Sequence, residues 1–462
     1  MIKKALDEIQ IMVSGNGLGA SFNNTFINGV SIDSRTCTKG NLYVPIVRIK
    51  DGHTFIDDAI EKGASACLWE KSRPNPPKKI PVIFVEDTKN ALQNLARSYR
   101  EQLTAKVIGV TGSNGKTTTK DMIHSILSTK FKVYKTKGNL NSEYGLPLSL
   151  LSVSENDEIV VLELGMSNRG EIETLSKIAQ PDIGVITMIG TSHIATLGSR
   201  KAIANAKLEI IAGIRQNGLL SIYGDEELLI DTLKDIENKE IRITTFGITN
   251  KNDIYQTNVK SNARNIEFTI NTDDNHVYSI NLIGKHNINN ALAAISVAKE
   301  LGMSDKQIKI GLKKLSLTGM RMEEIKSDEG FTIINDAWNA SPTSVQAAIE
   351  TFNELTGYNR KILVLGDMLE LGQNEVEYHK EIGYQVAQSK IDFLFTLGKL
   401  AKYIAEETQR NHGSKKVKTF LDKQSLITQV RDVLEPNDVI LVKGSRGMAL
   451  EDIVNALIKN NN

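Results

Sequence analysis

The sequence predicts an α/β protein of three domains: a small mixed α/β domain first, a central domain built around a phosphate-binding turn, and a C-terminal Rossmann-like domain. Three observations predict it. The 462 residues exceed what a single hydrophobic core usually organises. Short β-branched runs alternate with helical stretches from about residue 105 and again from about 331, the texture of parallel sheets covered by helices. The first alternation opens on "KVIGVTGSNGKTTTK" (106–120), which places a strand, a glycine turn and a helix in the order that binds phosphate.

In the first domain, residues 1–102, "NLYVPIV" and "PVIFVED" read as strands, separated by helix-like "HTFIDDAIEKGA" and the proline-rich loop "SRPNPPKK". "NALQNLARSYREQL" predicts an amphipathic helix with Leu92, Leu95, Ala96 and Tyr99 on one face, closing the domain near residue 102. In the central domain, residues 103–316, "KVIGV", "EIVVLEL", "DIGVITMI", "GLLSIY" and "IRITTFG" predict buried parallel strands. Segment 253–284 alternates polar and apolar residues without helical period and predicts antiparallel strands attached to that sheet. The long helix "HNINNALAAISVAKELG" follows. In the third domain, residues 317–462, the strands are "FTIINDA", "KILVLGDM", "DFLFTLG", "VKTFL" and "DVILVKG". Helices "SPTSVQAAIETFNEL", "EVEYHKEIGYQVAQ", "LAKYIAEE" and "QSLITQVRDVL" lie between them, the repeat of an open Rossmann-like sheet.

Composition removes several function classes. Lys and Arg number 56 against 55 Asp and Glu, a net charge of +1, so the basic excess of a nucleic-acid or membrane-surface protein is missing. The basic pairs Lys78-Lys79 and Lys415-Lys416 read as solvated faces. Cys37 and Cys67 are the only cysteines and form no CxxC pair, which argues against a disulfide framework or a zinc site and suits a reducing compartment. The start "MIKKALDEIQIMVSG" lacks the apolar core of a signal peptide, and no run approaches the roughly 18 apolar residues of a membrane span. A cytoplasmic monomer, without nucleic-acid partner or stable membrane association, is the expectation.

The phosphate turn can be read residue by residue. Gly112 and Gly115 let the backbone approach phosphate oxygens, with Ser113 and Asn114 between them. Lys116 adds a mobile positive charge, and the hydroxyl of Thr117, beside Thr118, can ligate Mg²⁺. The strict GxxxxGK[ST] pattern requires glycine at 110, where this chain has Val110. The turn is a variant.

Beyond the turn the chain resembles the Mur ligase family, ATP-dependent amide-forming enzymes of peptidoglycan precursor synthesis. "TGSNGKTT" matches that family's loop, and the resemblance continues in order through "KGNLNSEYGLPLSLL", "LELG", "SHIATLGS", "NAKLEI", "GKHNINNALAA", "GMRME" and "NDAWNASP". The front segment "IDSRTCTKGNLYVPIVRIKDGHTF" resembles the UDP-sugar-binding domain of the members that add the third residue and the terminal dipeptide. "VLGDMLELG" with "DAWNASP" resembles the member that adds D-alanyl-D-alanine to UDP-N-acetylmuramoyl-tripeptide, while the DNPR string of the diaminopimelate-selecting member does not occur. That related ligase, and a folylpolyglutamate synthetase-like ligase, remain alternatives. The latter usually begins close to the phosphate loop, whereas about a hundred residues precede it here. An ATP-binding scaffold without turnover is a third.

The resemblance implies ATP, two Mg²⁺ ions and a carbamylated lysine, with the chemistry carried by Lys116, Lys207 and His193. Glu163, ending "EIVVLEL", is implied as a Mg²⁺ ligand with Thr117, although an acid after a strand also often caps a helix. His193 is implied on a second Mg²⁺, although "SHIATLGS" departs from the commoner "AHLEGFGS". Lys207 reads from its own context as an exposed helical lysine, and the resemblance makes it the carbamate. Asn287 is implied in nucleotide contact, alongside the capping role open to any asparagine in a first helical turn. Arg321, beyond "LSLTG", is implied as an ATP-phosphate clamp effective when the domains close, and Asp336 as the acceptor for the ATP ribose. Asn339 lies in a loop that departs from DxYNANP at Trp338 and Ser341. Ser34, Arg35, Asp51, Gly52 and His53 are implied on the UDP-sugar side.

Overall fold

The apolar runs of the sequence pair into sheets that follow one another along the chain. They are seen in a computed structural model that describes residues 1–236, 240–261, 265–413 and 416–459. Residues 262–264 of the expected antiparallel segment, and Lys415 of the basic pair, lie outside these.

The N-terminal part holds a parallel sheet ordered Val30–Ser31, Asn41–Tyr43, Ala64–Glu70, Val82–Val85. A two-stranded antiparallel ribbon, Lys3–Ala5 with Phe26–Asn28, sits beside it. The strand expected over "NLYVPIV" ends at Tyr43, just ahead of Pro45, which has no N–H for a ladder. The helix Thr88–Gln102 forms as expected, with Leu92, Leu95, Ala96 and Tyr99 fully buried. It also buries Arg100, one turn past Ala96 at the flank of that face. The Arg100 guanidinium reaches into the central domain, donating to the carbonyls of Ala179 (2.9 Å) and Gln180 (3.2 Å) and to Asp182 Oδ2 (3.2 Å). The helix therefore joins the first two domains as much as it closes the first.

The central sheet has nine strands, from Asp273–Ile280 at one edge to Val133–Lys135 at the other. Its middle order is Arg242–Gly247, Leu219–Tyr223, Ile183–Ile186, Lys106–Thr111, Ile159–Glu163, and these pairs are parallel. The five expected strands are these five. The expected antiparallel segment forms Ile254–Ser261, Ile266–Ile270 and Asp273–Ile280. The edge strand Val133–Lys135 was not expected, being only three residues long and half-buried throughout. From Lys106–Thr111 the chain goes outward to one side, then crosses to Ile183–Ile186 on the other. That reversal makes the carboxyl end of Lys106–Thr111 the topological switch point, where open sheets form a crevice. Helix Lys116–Leu127 leaves from there, with Met122, Ile123, Ile126 and Leu127 all fully buried.

The C-terminal sheet runs Glu323–Lys326, Thr332–Asp336, Val439–Lys443, Lys361–Gly366, Phe393–Leu397, Lys416–Phe420, parallel except for the first pair. The charged edge strand Glu323–Lys326 and the final helix Glu451–Ile458 complete it. Among the described residues no helix is long and apolar enough to cross a membrane. The α/β class and the succession of three sheet-centred domains agree with the sequence.

Candidate active site

The carboxyl ends of the central and C-terminal sheets face a shared cavity of about 560 Å³. On the central side it is lined by the turn from Ser113 to Thr118, by Glu163 and by His193. Across from these stand Arg321, Asp336 and Asn339, and Asn287 lines it as well. Twelve residues expected at a nucleotide and metal site thus meet in one space, drawn from segments far apart in the chain.

The turn is built for close approach. Gly112 has φ +143° and Gly115 has φ +82°, backbone that side chains disfavour. A Cβ on Gly112 would run into Thr187 Oγ1, and one on Gly115 into Asn290 Oδ1. Lys116 is not a free arm: its Nζ donates to the carbonyls of Gly112 (2.8 Å) and Ser113 (3.2 Å). Burial lowers its pKa, Glu163 opposes that, and Arg321 adds to it. Ser113 Oγ, Asn114 Nδ2 and Arg321 Nε are buried without a hydrogen-bond partner among the described residues. An unmade bond of this kind costs about 1–3 kcal/mol, which an anionic ligand with acceptor oxygens would relieve.

Glu163, at the end of its strand, is 3% exposed. Thr117 Oγ1 donates to its Oε2 at 2.8 Å and Asn141 Nδ2 to its Oε1 at 2.8 Å. The buried Lys120 ammonium stands 3.8 Å away and donates to Thr136 O. Glu163 therefore faces the cavity and does not cap a helix. Its threonine and carboxylate oxygens form a compact pair of hard donors, suited to Mg²⁺.

His193 opens the short helix Ile194–Leu197 with φ +63°. Burial lowers its pKa, the nearby Glu370 carboxylate opposes this, and Lys116 and Lys207 add to it. Lys207 corrects the expectation drawn from its own helix: it is 2% exposed. Among the described residues its ammonium makes no hydrogen bond or salt bridge. Burial first and Lys116 second push its pKa well below the ordinary lysine value, against Glu209, Glu171 and Glu163. The helix Arg200–Leu208 points this residue inward because Ile203, Ala204 and Leu208 are buried around it.

On the far side, Asp336 Oδ2 pairs with Lys443 Nζ at 2.6 Å, Lys443 also donates to Asn339 O at 2.9 Å, and Met322 N donates to Asp336 Oδ1. Two guanidinium groups stand over the Trp338 ring, Arg321 at 5.4 Å and Arg446 at 5.0 Å from its centre. The substituted loop position is thus a cation–π platform. Asn287 does not cap its helix. Its Nδ2 donates to Ile283 O and its Oδ1 accepts from Asn290.

Ser34, Arg35, Asp51, Gly52 and His53 do not line this cavity. Ser34 is buried beside the exposed Asp33–Arg35 pair. Asp51 caps the turn Gly52–Phe55, accepts from His53 Nδ1 and pairs with Arg73 at 2.7 Å. His53 stands edge-on to Trp69.

Sequence reading missed Asn141, Lys443 and Glu370. Lys443 was within reach, as the polar end of the apolar strand "DVILVKG", in register with Asp336. Asn141 lies inside a recognised motif but has no distinguishing residue chemistry. Glu370 becomes visible only once the two domains are placed together.

Comparison with known proteins matches residues 26–100 to the "Mur ligase family, catalytic domain", 110–298 to the "Mur ligase middle domain", and 320–446 to the "Mur ligase, glutamate ligase domain". The UDP-N-acetylmuramoyl-tripeptide--D-alanyl-D-alanine ligase of Bacillus subtilis is 46% identical over 461 residues, covering 100% of this chain and 99% of that protein. The crystal structure of MurF from Acinetobacter baumannii superposes with TM-score 0.88 at 27% identity, covering both chains completely. The MurF ligase of Thermotoga maritima in complex with ADP gives 0.80 at 28% identity, over 93% of this chain and 97% of that one.

Proposed function

Because this chain belongs to the Mur ligase family, we propose that it joins D-alanyl-D-alanine to UDP-N-acetylmuramoyl-tripeptide at the cost of ATP, forming an acyl phosphate on the way. The observation that carries this reading is the single cavity shared by the phosphate turn, Glu163 and His193 on one sheet and by Arg321, Asp336 and Asn339 on the other. The substrate pair follows from the full-length likeness to ligases with that name.

A carboxylate does not acylate an amine in water, because oxide is too poor a leaving group. Phosphorylation removes that obstacle. The terminal carboxylate oxygen of the tripeptide attacks the γ-phosphorus, the bond to the β-phosphate oxygen breaks, and ADP departs. The neutral amine of the dipeptide then attacks the acyl carbon, phosphate leaves, and the amine loses its proton. Such a site works by positioning and by charge stabilisation, with water kept out.

In this reading the turn Gly112, Ser113, Asn114, Gly115, Lys116, Thr117 and Thr118 holds the ATP phosphates. Lys116 exchanges its two carbonyl partners for phosphoryl oxygens, and the unpaired Ser113, Asn114 and Arg321 donors find partners there. Asp336 takes the ribose, with Asn287 and Asn339 nearby. Thr117 and Glu163 would hold one Mg²⁺, and His193 with Lys207 a second. The ions supply neutralisation of crowded phosphate charge. An amine cannot attack CO₂ while protonated, so the lowered proton affinity of Lys207 supports that reaction: the nitrogen forms a bond to carbon and releases a proton, leaving an anionic carbamate whose oxygens would ligate. Ser34, Arg35, Asp51, Gly52 and His53 would serve the UDP-sugar end, in a division of labour with limits near residues 102 and 316. The dipeptide would enter from the side of the Asp336–Pro342 loop. A cytoplasmic monomer completes the proposal.

The test is to supply ATP, Mg²⁺ and D-alanyl-D-alanine with a panel of UDP-muramyl tripeptides and measure ADP. Release that requires both co-substrates is expected. Release with a folate and glutamate instead would overturn the substrate class.

A further inference from the structure

One contact across the domain join is left unused by this chemistry. The turn 367–374 of the third domain rests on the His193 turn of the central domain. Glu370 Oε2 lies 2.7 Å from His193 Nδ1. Ala195 N donates to Glu370 O at 3.3 Å. Gly372 packs so tightly that a Cβ there would come within 3.1 Å of Ala195 Cα. His193 and Glu370 both hold left-handed backbone, at φ +63°, a conformation that side-chain-bearing residues adopt only when their surroundings impose it.

The Glu370 side chain is 60% exposed, so the pair adds little to stability. Its weight lies in what it does to the ring. An imidazole that donates from Nδ1 to a carboxylate keeps its lone pair on Nε2, and this is how acceptor carboxylates orient ligating histidines.

We propose that Glu370 is a positioning residue: docking of the third domain delivers its carboxylate to His193 Nδ1, fixing the ring with Nε2 free toward the cavity. The metal-binding side of the central domain is then complete only when the third domain is in place. Glu370 touches no reacting atom, and the proposal rests on the reading of His193 as a ligand.

The test is the tautomer of His193, read from its imidazole ¹⁵N signals in the full chain with a non-hydrolysable ATP analogue and no added metal. Assignment comes from the signals lost in His193→Gln. The wild type should carry its proton on Nδ1. Glu370→Ala should shift it toward Nε2, and Glu370→Gln, whose amide oxygen still accepts, should retain the wild-type pattern. In turnover, Glu370→Ala should lose about 10- to 100-fold in kcat with KM for ATP little changed, and Glu370→Gln should recover most of that loss. An unchanged tautomer in Glu370→Ala, a wild-type kcat for it, or a Glu370→Gln no better than Glu370→Ala overturns the proposal. The ¹⁵N pattern does not depend on the reaction, so a chain with the Nδ1–H tautomer but no ligation product would support this contact while removing the function proposed above.

Discussion

Lys207 is the residue whose surroundings say most about the chemistry. It is enclosed, beside Lys116, and its pKa lies well below the ordinary 10.5. The consequence for stability has a definite sign. Between the lowered folded value and 10.5, the unfolded chain binds a proton that the folded chain does not, so stability rises with pH. Relative to Lys207→Met, the wild type in CO₂-free buffer should gain up to about 1.4 kcal/mol per pH unit as the pH climbs toward 10.5. Denaturant unfolding at several pH values measures this, and a difference that stays flat contradicts it. The same residue marks the limit of what its type reveals. Lys116, Glu163 and Asp336 could be picked out because each ends or follows a strand at the carboxyl edge of a sheet. Lys207 has no such signal, since a helical lysine is ordinarily solvated. Its inward direction comes from the burial of Ile203, Ala204 and Leu208 on the same helix, and only the family resemblance singled it out.

Among the elements, helix Lys116–Leu127 does two jobs. Its first turn belongs to the phosphate site, and one turn later Asp121 Oδ2 accepts from Thr318 N at 2.8 Å, in the segment leading to the third domain. Asp121 is fully enclosed with Lys120 and bonds Lys135 at 2.6 Å. Burial pushes its pKa up, but Lys120, Lys135 and the Thr318 bond outweigh that and hold it low. Three residues past Thr318, Arg321 is flanked by Met320 and Met322, both in left-handed backbone. Asp121→Ala should cost about 3 kcal/mol in chemical denaturation, because it removes the buried acceptor of Thr318 N and Lys135 and leaves Lys120 with Glu163 as its nearby carboxylate. Asp121→Asn should cost less because it still accepts from Thr318. A loss under about 0.5 kcal/mol would class Asp121 with ordinary surface positions. The buried strand Ala64–Glu70 of the first sheet was not expected. The parallel strands of the central and C-terminal sheets, with the helices between the latter, were legible as apolar runs and helical periods. Val133–Lys135 and Glu323–Lys326 were not. Both are short edge strands, and an edge strand can keep charged residues such as Glu323, Glu324 and Lys326 that mask alternation.

At the scale of the molecule, the first two domains are tied through buried contacts, Arg100 to Ala179 and Tyr99 to Val153 among them. The third meets the central domain across the cavity, through Ser341 on Asn114 and Glu370 on His193. In the function proposed above, such a body would position two substrates by closing one domain on a fixed pair. Nothing in the sequence signalled the tie between the first two domains, because an arginine in an amphipathic helix is ordinarily exposed, whereas Arg100 is buried against a neighbouring domain. The central claim is that the tripeptide carboxylate is the group activated, with ATP and the dipeptide brought to it from opposite sides. Its most direct measurement is isotope transfer: UDP-muramyl tripeptide labelled with ¹⁸O in its terminal carboxylate, turned over with ATP and D-alanyl-D-alanine, and the released phosphate weighed by mass spectrometry. The account predicts one ¹⁸O in each phosphate and none from a dipeptide labelled in its own carboxylate. Unlabelled phosphate from the labelled tripeptide, or label arriving from the dipeptide, would contradict it.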